Sequence, residues 1–466
     1  MTSPTDALSK IWLDLGLPAD ALERVRLTGT EPALPSSFRV GTAAQASIAA
    51  ASLAAAEVWR LRGGPAAEVT VDMRHAAIEF RSERYFSVEG RPPPALWDKI
   101  AGTYRCGDGR WVRIHTNFPH HRDGILELLK CDYAREAVQE ALDGWTAEAF
   151  ETAAGAVGMI AAMMRSKAEW LAHPQGQAVA SLPLISIEKI GEAAPEPLPP
   201  AARPLDSLRV LDLTRIIAGP VCGRALAAHG AEVLYVTGPH LPAIAPLVID
   251  TGRGKRSTQI DLREPAGTAA LAALLEDADL FVQGYRPGGL AERGFSPEEA
   301  AALRPGIVYL SLSAYGHSGP WAGKRGFDSI AQTTIGINHQ EAAMLGLDHP
   351  KELPCQALDH ASGYLLALGA MAGLMRRARE GGSWHVRVAL ARTGQWLQDL
   401  GPLEGGFDCQ DPGLEDVGDL LETSESGFGR LSAVRHAGRI GGASAVWRQP
   451  AVPLGSHPPA WSRPAA

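Results

Sequence analysis

The chain has 466 residues, 45% of them hydrophobic and 21% charged, which is the balance of a globular protein with room for two or three domains and a sizeable core. Its net charge of −8 argues against a nucleic-acid partner and requires any anion site to be built from a local basic cluster. The five cysteines, Cys106, Cys131, Cys222, Cys355 and Cys409, are odd in number, scattered and without a C-x-x-C pair, so neither a disulfide framework nor a zinc site is expected, and no metal. The N-terminus lacks a basic stretch leading into an apolar run. The longest small-apolar segment, Ala46 to Ala56, contains Ser and is too short to span a bilayer. The expectation is a soluble, cytoplasmic protein with no membrane partner.

In chain order, Ser47 to Trp59 reads as an Ala-rich helix, and Val69 to Met73 alternates like a strand. Tyr104-Arg105-Cys106 and Trp111 to Ile114 flank Gly107-Asp108-Gly109-Arg110, a hairpin signal because Asp-Gly accepts positive φ. Helical patterns continue through Trp170, and Leu182 to Ile187 reads as a strand. Pro195, Pro197, Pro199, Pro200 and Pro204 then mark an extended, semi-rigid linker. Beyond it strands and helices alternate: Leu208 to Leu213, a helix from Ala218 to Ala228, Ala231 to Val236, a helix from Pro265 to Glu276, Leu280 to Val282, and Ile307 to Leu312. That rhythm implies βαβ units and an open, largely parallel sheet, whose ligands bind at the carboxyl ends of the strands. A faint repeat accompanies it. Arg379 to Val388 echoes Leu61-Arg62-Gly63-Gly64-Pro65 running into Val69 to Val71, each after an Ala-rich helix. At the place of Asp359 the earlier copy has Gly41 or Thr42, depending on one gap.

Asp359 stands in Leu358-Asp359-His360-Ala361-Ser362-Gly363, at the entry of a small-residue helix, where an Asp ordinarily serves as an N-cap. Upstream, Arg253, Lys255, Arg256 and Arg263 form a basic cluster suited to phosphate oxygens. The helix start at Gly219-Pro220 offers free amides to an anion.

Four segments resemble the class III CoA-transferases, the family that includes formyl-CoA transferase, carnitine CoA-transferase and the bile-acid-inducible type. They are Arg209 to Arg215 through Ala218-Gly219-Pro220 with Gly230 to Val233; Arg253 to Ser257 leading to Ile260 to Arg263; Tyr285-Arg286-Pro287-Gly288 with Arg293-Gly294-Phe295; and Ser313 to Pro320 with Gly326-Phe327-Asp328. Tyr104 to Val112, Trp145 and Trp170 to Gln175 resemble that family's small domain and the segment after it, and Pro453 to His457 its C-terminal signature. The order is nearly a circular rearrangement, the later part of one subunit fused to the earlier part of a second. The resemblance implies an α/β fold with an open, largely parallel Rossmann-like sheet as the large CoA-binding domain and a smaller α+β domain. The domains implied are a degenerate half with the small α+β domain over 1–190, the linker over 191–204, the Rossmann-like CoA-binding and catalytic domain over 205–400, and a truncated C-terminal segment packing back on it over 401–466. It implies Asp359 as the nucleophile. It implies a coenzyme A site formed by Ile217, Ala218, Ile260, Asp261, Leu262, Arg263, Gly284, Tyr285, Arg286, Arg293, Ser313, Ala314, Tyr315 and Gly316. The implied partners are an acyl-CoA, a small carboxylic acid and a second copy in an interlocked homodimer, unless the interlocking occurs within one chain.

Departures from the family pattern cluster around the expected pocket: Thr237 and Gly238 where Glu and often a basic residue stand, Gly252 for Asn, and Gln283-Gly284 for Glu-Asn. Besides CoA transfer through an aspartyl intermediate, two readings stay open. One is an acyl-CoA racemase-like isomerase, which pairs the matching Asp with a His where this chain has Phe327, so that His317 or His360 would have to substitute. The other is a non-catalytic CoA-binding protein. Gly405-Gly406 is readable as a small covering loop or as an ordinary turn.

Overall fold

The protein is described from a computed structural model that covers residues 2–286 and 288–462; Met1, Pro287 of the Tyr285–Gly288 motif and residues 463–466 lie outside the described part. Seven strands form the large sheet: β1 (Ser186–Gly191), β2 (Arg209–Leu213), β3 (Glu232–Thr237), β4 (Lys255–Gln259), β5 (Leu280–Gln283), β6 (Val308–Ser313) and β7 (Ser383–Ala389). Their spatial order is β4-β3-β2-β5-β6-β7-β1. Pairing is parallel from β4 to β7, with Leu280 opposite Val210 on one side and Val308 on the other, and only β1 runs antiparallel at the edge. Val210, Leu211, Leu280, Phe281, Val282, Val308 and Leu310 are fully buried, as central parallel strands covered on both faces require.

Two strands differ from the sequence reading. The edge strand is Ser186–Gly191 rather than Leu182 to Ile187. Pro183 has no N–H for a ladder, and an edge strand tolerates Glu188 and Lys189. The polar run Lys255–Gln259, read as part of a basic cluster, is strand β4.

Helix α1 (Val40–Leu61), α2 (Ala218–Ala228), α3 (Asp328–Thr334), α4 (Ala357–Glu380) and α5 (Leu390–Asp399) carry the rest of the argument. Helix α4 is buried almost throughout from Ala357 to Met375, packed between α1, α2 and the sheet. Its small residues make that possible. A Cβ on Gly363 would lie 2.6 Å from the Ala218 carbonyl oxygen and 2.8 Å from Val221, and one on Gly373 would lie 2.7 Å from Val308.

The repeat is real in three dimensions. Helix α1 follows the strand Val25–Thr28, ends at Gly63-Gly64, and leads into Val69–Asp72 and the helix Met73–Glu79; α4 follows β6, ends at Gly381-Gly382, and leads into β7 and α5. Val25–Thr28 and Val69–Asp72 pair in parallel as β6 and β7 do, and Arg439–Ile440 lies antiparallel beside Val69–Asp72 as β1 does beside β7, though here Ala443–Ser444 pairs outside it. The residues before the two helices have almost identical backbones, φ −78 and ψ 61 at Arg39, φ −78 and ψ 62 at Gln356. Counted from there, Thr42 occupies the place of Asp359. The Thr42 amide donates to Glu31 Oε1 at 2.6 Å, just as the Asp359 amide donates to Asp328 Oδ2 at 2.9 Å.

The hairpin Gly102–Arg105 and Trp111–Ile114 joins Ala161–Met163 in a separate three-stranded antiparallel sheet with its own core around Ile114, Ile125, Val138 and Phe150. Gly109, at φ +80, makes the turn as its sequence requires. The Pro-rich segment is pinned along its course: Arg62 donates to the carbonyls of Pro199 at 2.7 Å, Pro204 at 3.0 Å and Asp206 at 2.9 Å. The C-terminal stretch returns to the outer edge of β4, where the His457 amide donates to the Ser257 carbonyl at 2.8 Å.

Alanine at Gly363 should cost about 1–3 kcal/mol by overpacking, despite the better helix propensity of Ala. Alanine at Gly155, whose added Cβ would meet nothing within 4 Å, should instead stabilise by about 0.5–1 kcal/mol. Urea unfolding of the two variants checks the contrast.

Candidate active site

The strand order reverses between β2 and β5: the chain runs outward through β3 and β4, then returns to β5 and continues through β6 and β7. Ligand crevices of open parallel sheets form outside the carboxyl ends at such a point. A cavity of about 450 Å³ lies there. Its walls are Arg215 to Ala218 after β2, Thr237 and Gly238 at the end of β3, Ile260, Leu262 and Arg263 after β4, Gly284 to Arg286 and Arg293 after β5, and Leu312 to Ala314 at the end of β6. Phe118, His120 and His121 of the small unit and Lys324 to Phe327 complete it. Ile216 on this wall has φ +75, a strained conformation for a β-branched residue, of the kind that clusters at functional loops.

Asp359 stands on the wall of this cavity and is 6% exposed. It is not the helix cap. The helix begins at Ala357, after Gln356, so Asp359 is its third residue, and its amide is taken by Asp328 Oδ2. Asp328 is fully buried and also accepts from the Gln332 amide. Burial, reinforced by Asp328 and Glu83, pushes the Asp359 carboxyl well above the ordinary carboxylate range. Burial likewise raises Asp328, to about 6. Burial alone would raise Glu83 too, but a hydrogen bond with His360 Nε2 at 3.1 Å overrides it and holds Glu83 low. Beside Glu83, Arg84 donates to Gln356 Oε1 at 3.2 Å, at the very start of α4.

Of the positions named from the sequence, Ile217, Ala218, Ile260, Leu262, Arg263, Gly284, Tyr285, Arg286, Arg293, Ser313, Ala314 and Asp359 come together on this one cavity. Asp261 stands behind it and grips Arg263 through Nε at 2.9 Å and Nη2 at 2.6 Å. Tyr315 is buried, with its hydroxyl on Thr334, and Gly316 lines a neighbouring cavity of about 210 Å³. The basic cluster divides. Lys255 Nζ is buried on Asp212 at 2.8 Å, Arg253 is buried on Asp250 at 3.0 Å, and Arg256 pairs with Glu232 at 3.2 Å, so none of the three reaches the cavity. They sit before or early in β4, while Arg263 follows its carboxyl end. Arg215, Arg263, Arg286, Arg293, Lys324 and Arg325 are the basic side chains on the wall.

The departures have distinct fates. Thr237 keeps a buried hydroxyl without a protein partner on the wall, and Gln283 accepts the Tyr285 amide at 2.9 Å while donating to Ser311 at 2.9 Å. Gly405 and Gly406 form an ordinary turn against Ser36 and are not on the cavity wall. Asp328 was visible in its motif without a role. Glu83, Arg84, His120 and His121 carried no local signal.

Residues 205–415 match the family model for CoA-transferase family III. An acyl-CoA transferase of Gibberella moniliformis is 29% identical over 378 residues, covering 72% of this chain and 66% of that protein. The probable fatty acyl-CoA transferase Rv3272 of Mycobacterium tuberculosis is 33% identical over 210 residues, 42% of this chain and 53% of that one. A succinyl-CoA–D-citramalate CoA-transferase of Chloroflexus aurantiacus is 35% identical over 209 residues, 40% and 49% of the two chains. A crystal structure of Rv3272 aligns at 32% identity with a TM-score of 0.40, over 42% of this chain and 57% of that one. The chain thus spans about half to two thirds of the length of these relatives. Over residues 205–415, somewhat under half of its length, the chain is similar to CoA-transferase family III.

Proposed function

We propose that the protein moves CoA from an acyl-CoA donor to a carboxylic acid acceptor through a covalent intermediate on Asp359. The observation that carries this is the position of Asp359 on a cavity at the switch point whose wall otherwise presents mostly basic, hydroxyl and apolar groups. The other carboxylate there, Glu292, is two-thirds exposed and faces Arg286 at 3.6 Å. About 450 Å³ is within the range of cofactor sites. Arg263, Arg286 and Arg293 suit the phosphates of CoA, and the amides at the start of α2 are free for a developing oxyanion.

An Asp359 carboxylate oxygen attacks the thioester carbon, and the C–S bond breaks to give a mixed anhydride and CoA thiolate. The thiolate attacks the aspartyl carbonyl and releases the donor acid, leaving an aspartyl-CoA thioester. The acceptor carboxylate then attacks that thioester and frees the thiolate, which takes the acceptor acyl group and regenerates Asp359. The buried setting gives the ionised carboxylate the basicity of a strong nucleophile, at the cost of ionising it first. Glu83 and Arg84 reach the start of α4 within the same chain, so each chain carries one centre, alone or in the homodimer that the resemblance implies. The domain limits above and a cytoplasmic place are proposed on the same resemblance.

The isomerase reading is weaker. Phe327 stacks on His115 at 3.8 Å, and burial holds His115 down to about 3, too weak a base for an α-proton. His360 is buried on Glu83 and His317 lies on the neighbouring cavity.

Intact-mass analysis after mixing with a panel of acyl-CoAs, with peptide mapping after hydroxylamine trapping, should place an adduct on Asp359 that Asp359→Asn lacks. CoA binding without an adduct from any donor would overturn the transferase reading in favour of a non-catalytic one. Adduct formation in single turnovers should rise with pH above the ordinary carboxylate range, because Asp359 must lose its proton. Asp328→Asn should move that acid limb to lower pH, because the charge of Asp328 is one of the causes that raise Asp359.

The same burial has a signature in stability. A carboxyl raised by folding contributes stability that is complete below its unfolded value, about 3.9, and is lost as pH rises through the folded value. Asp359→Asn should therefore melt above the parent protein at pH 8, with the difference closing toward pH 4 in thermal scans.

A further inference from the structure

Asp359, Ile216, Ile217 and Phe327 stand on the walls of two cavities at once. Beyond this partition from the large cavity lies a small pocket of about 50 Å³ that also touches Arg84, Trp97, His115 and Ser329. Two polar atoms of these wall residues, His115 Nδ1 and Ser329 Oγ, have no partner among the described residues, and the residues are only 4% and 3% exposed. An orphaned buried polar group costs about 1–3 kcal/mol, a cost that a ligand making the missing bond removes. The Arg84 guanidinium is only partly committed, with Nη2 on Gln356 at 3.2 Å and Nε 3.5 Å from Glu83.

Asp328 and Gln356 also line the pocket but are engaged by the Asp359 amide and by Arg84, and the set that remains selects oxygen. A hydroxyl and a neutral imidazole each donate or accept, and a guanidinium donates only. Burial keeps His115 neutral, with His121 and Arg113 opposing a further positive charge. Trp97 and Phe327 close the sides, Trp97 edge-on to His115 at 6.0 Å and Phe327 stacked on it. Space limits the occupant. One water needs roughly 10–15 Å³ of such volume, so the pocket holds about four waters, or the body of an acid of about four or five carbons.

We propose that this pocket receives the acyl group, and that the acids exchanged are short and carry a second oxygen function, carboxylate or hydroxyl, facing Arg84, His115 and Ser329. The inference rests on Asp359 being the nucleophile for its catalytic consequences, while the pocket's preference among free acids can be read without turnover.

The test has two arms on the full-length protein. In the first, kcat/KM is measured with succinyl-CoA, 3-hydroxybutyryl-CoA, butyryl-CoA and octanoyl-CoA. Octanoyl-CoA should fall about 100-fold or more below the best oxygen-substituted donor. Arg84→Met should lower kcat/KM for succinyl-CoA about tenfold or more while changing butyryl-CoA only a few-fold. A preference for 3-hydroxybutyryl-CoA over succinyl-CoA, lost in Ser329→Ala, would assign the second function as hydroxyl and still support the pocket. Octanoyl-CoA turned over as well as the short donors, or equal losses on succinyl-CoA and butyryl-CoA in Arg84→Met, would sink it. In the second arm, succinate, 3-hydroxybutyrate and octanoate are titrated calorimetrically into the CoA-bound protein. Should no donor label Asp359, tighter binding of a short oxygen-substituted acid, weakened in Ser329→Ala, would uphold the pocket while the transferase reading fails. Equal binding of octanoate and the short acids would overturn the pocket whatever the turnover. Ser329→Ala removes an orphaned hydroxyl without adding bulk, so it keeps the test open if Arg84→Met does not fold.

Discussion

Two buried carboxyl groups stand together at the start of the long helix, and their arrangement depends on one hydrogen bond, from the Asp359 amide to Asp328. A buried anion without compensation is costly, and here burial favours both protonated forms, reinforced at Asp359 by the charges of Asp328 and Glu83. The site persists because the backbone that carries it cannot relax. Gly363 lets the first turns of α4 and α2 approach so closely that the Ala218 carbonyl would meet an added Cβ at 2.6 Å. The carboxyl and the free amides of α2 are therefore fixed to each other by main-chain packing rather than by flexible side chains. Pre-set geometry of this kind is what a reaction with developing oxyanions needs.

The N-terminal repeat separates scaffold from chemistry. Thr42 and Glu31 reproduce the amide-to-carboxylate bond of Asp359 and Asp328 on an equivalent helix start, yet the position held by Asp359 in the second copy is a threonine in the first. The hydrogen bond therefore belongs to the architecture of the helix start, and the acid at Asp359 is the part that only one copy carries. What the first copy supplies instead is structural and local. Helix α1 covers α4, and Glu83 and Arg84, a few residues beyond the repeat's last helix, reach His360 and Gln356. Beyond them, Ser87–Val88 pairs with the hairpin Leu421–Ser426 and Gly429–Val434.

The buried strands were legible because central parallel strands are apolar on both faces, and their runs from Val210 to Leu312 lie where the sequence puts them. Strand β4 was not, because its polar residues find partners from other strands: Lys255 on Asp212 of β2, Arg256 on Glu232 of β3. Wall residues that follow a strand end within a motif, such as Ile260, Arg263 and Tyr285, could be named from their neighbours. Those delivered by packing could not. Glu83 and Arg84 arrive through the contact of α1 with α4, and His115 through the docking of the small sheet, neither of which leaves a periodic trace in the chain. Asp359 stands out through its motif, while the start of its helix does not: the helix begins two residues before it, so its side chain does not cap the helix.

Basic residues in this acidic chain meet two different ends, and the direction of a parallel strand decides between them. Arg253 and Lys255, at the amino end of β4, face acids of the interior and are neutralised there, as Arg224 is by Asp250 at 2.8 Å. Deleting one partner of such a buried pair would leave an uncompensated charge, so these residues are bound to the fold and unavailable to a ligand. Past the carboxyl end of the same strand, Arg263 is half exposed and held in the plane of the Asp261 carboxylate. That pairing orders the side chain without burying it, leaving the other edge of a planar fork open toward solvent and toward phosphate oxygens. A basic run in a βαβ chain is thus a ligand signal only on the downstream side of its strand, where the sheet ends and the main chain turns away from the core.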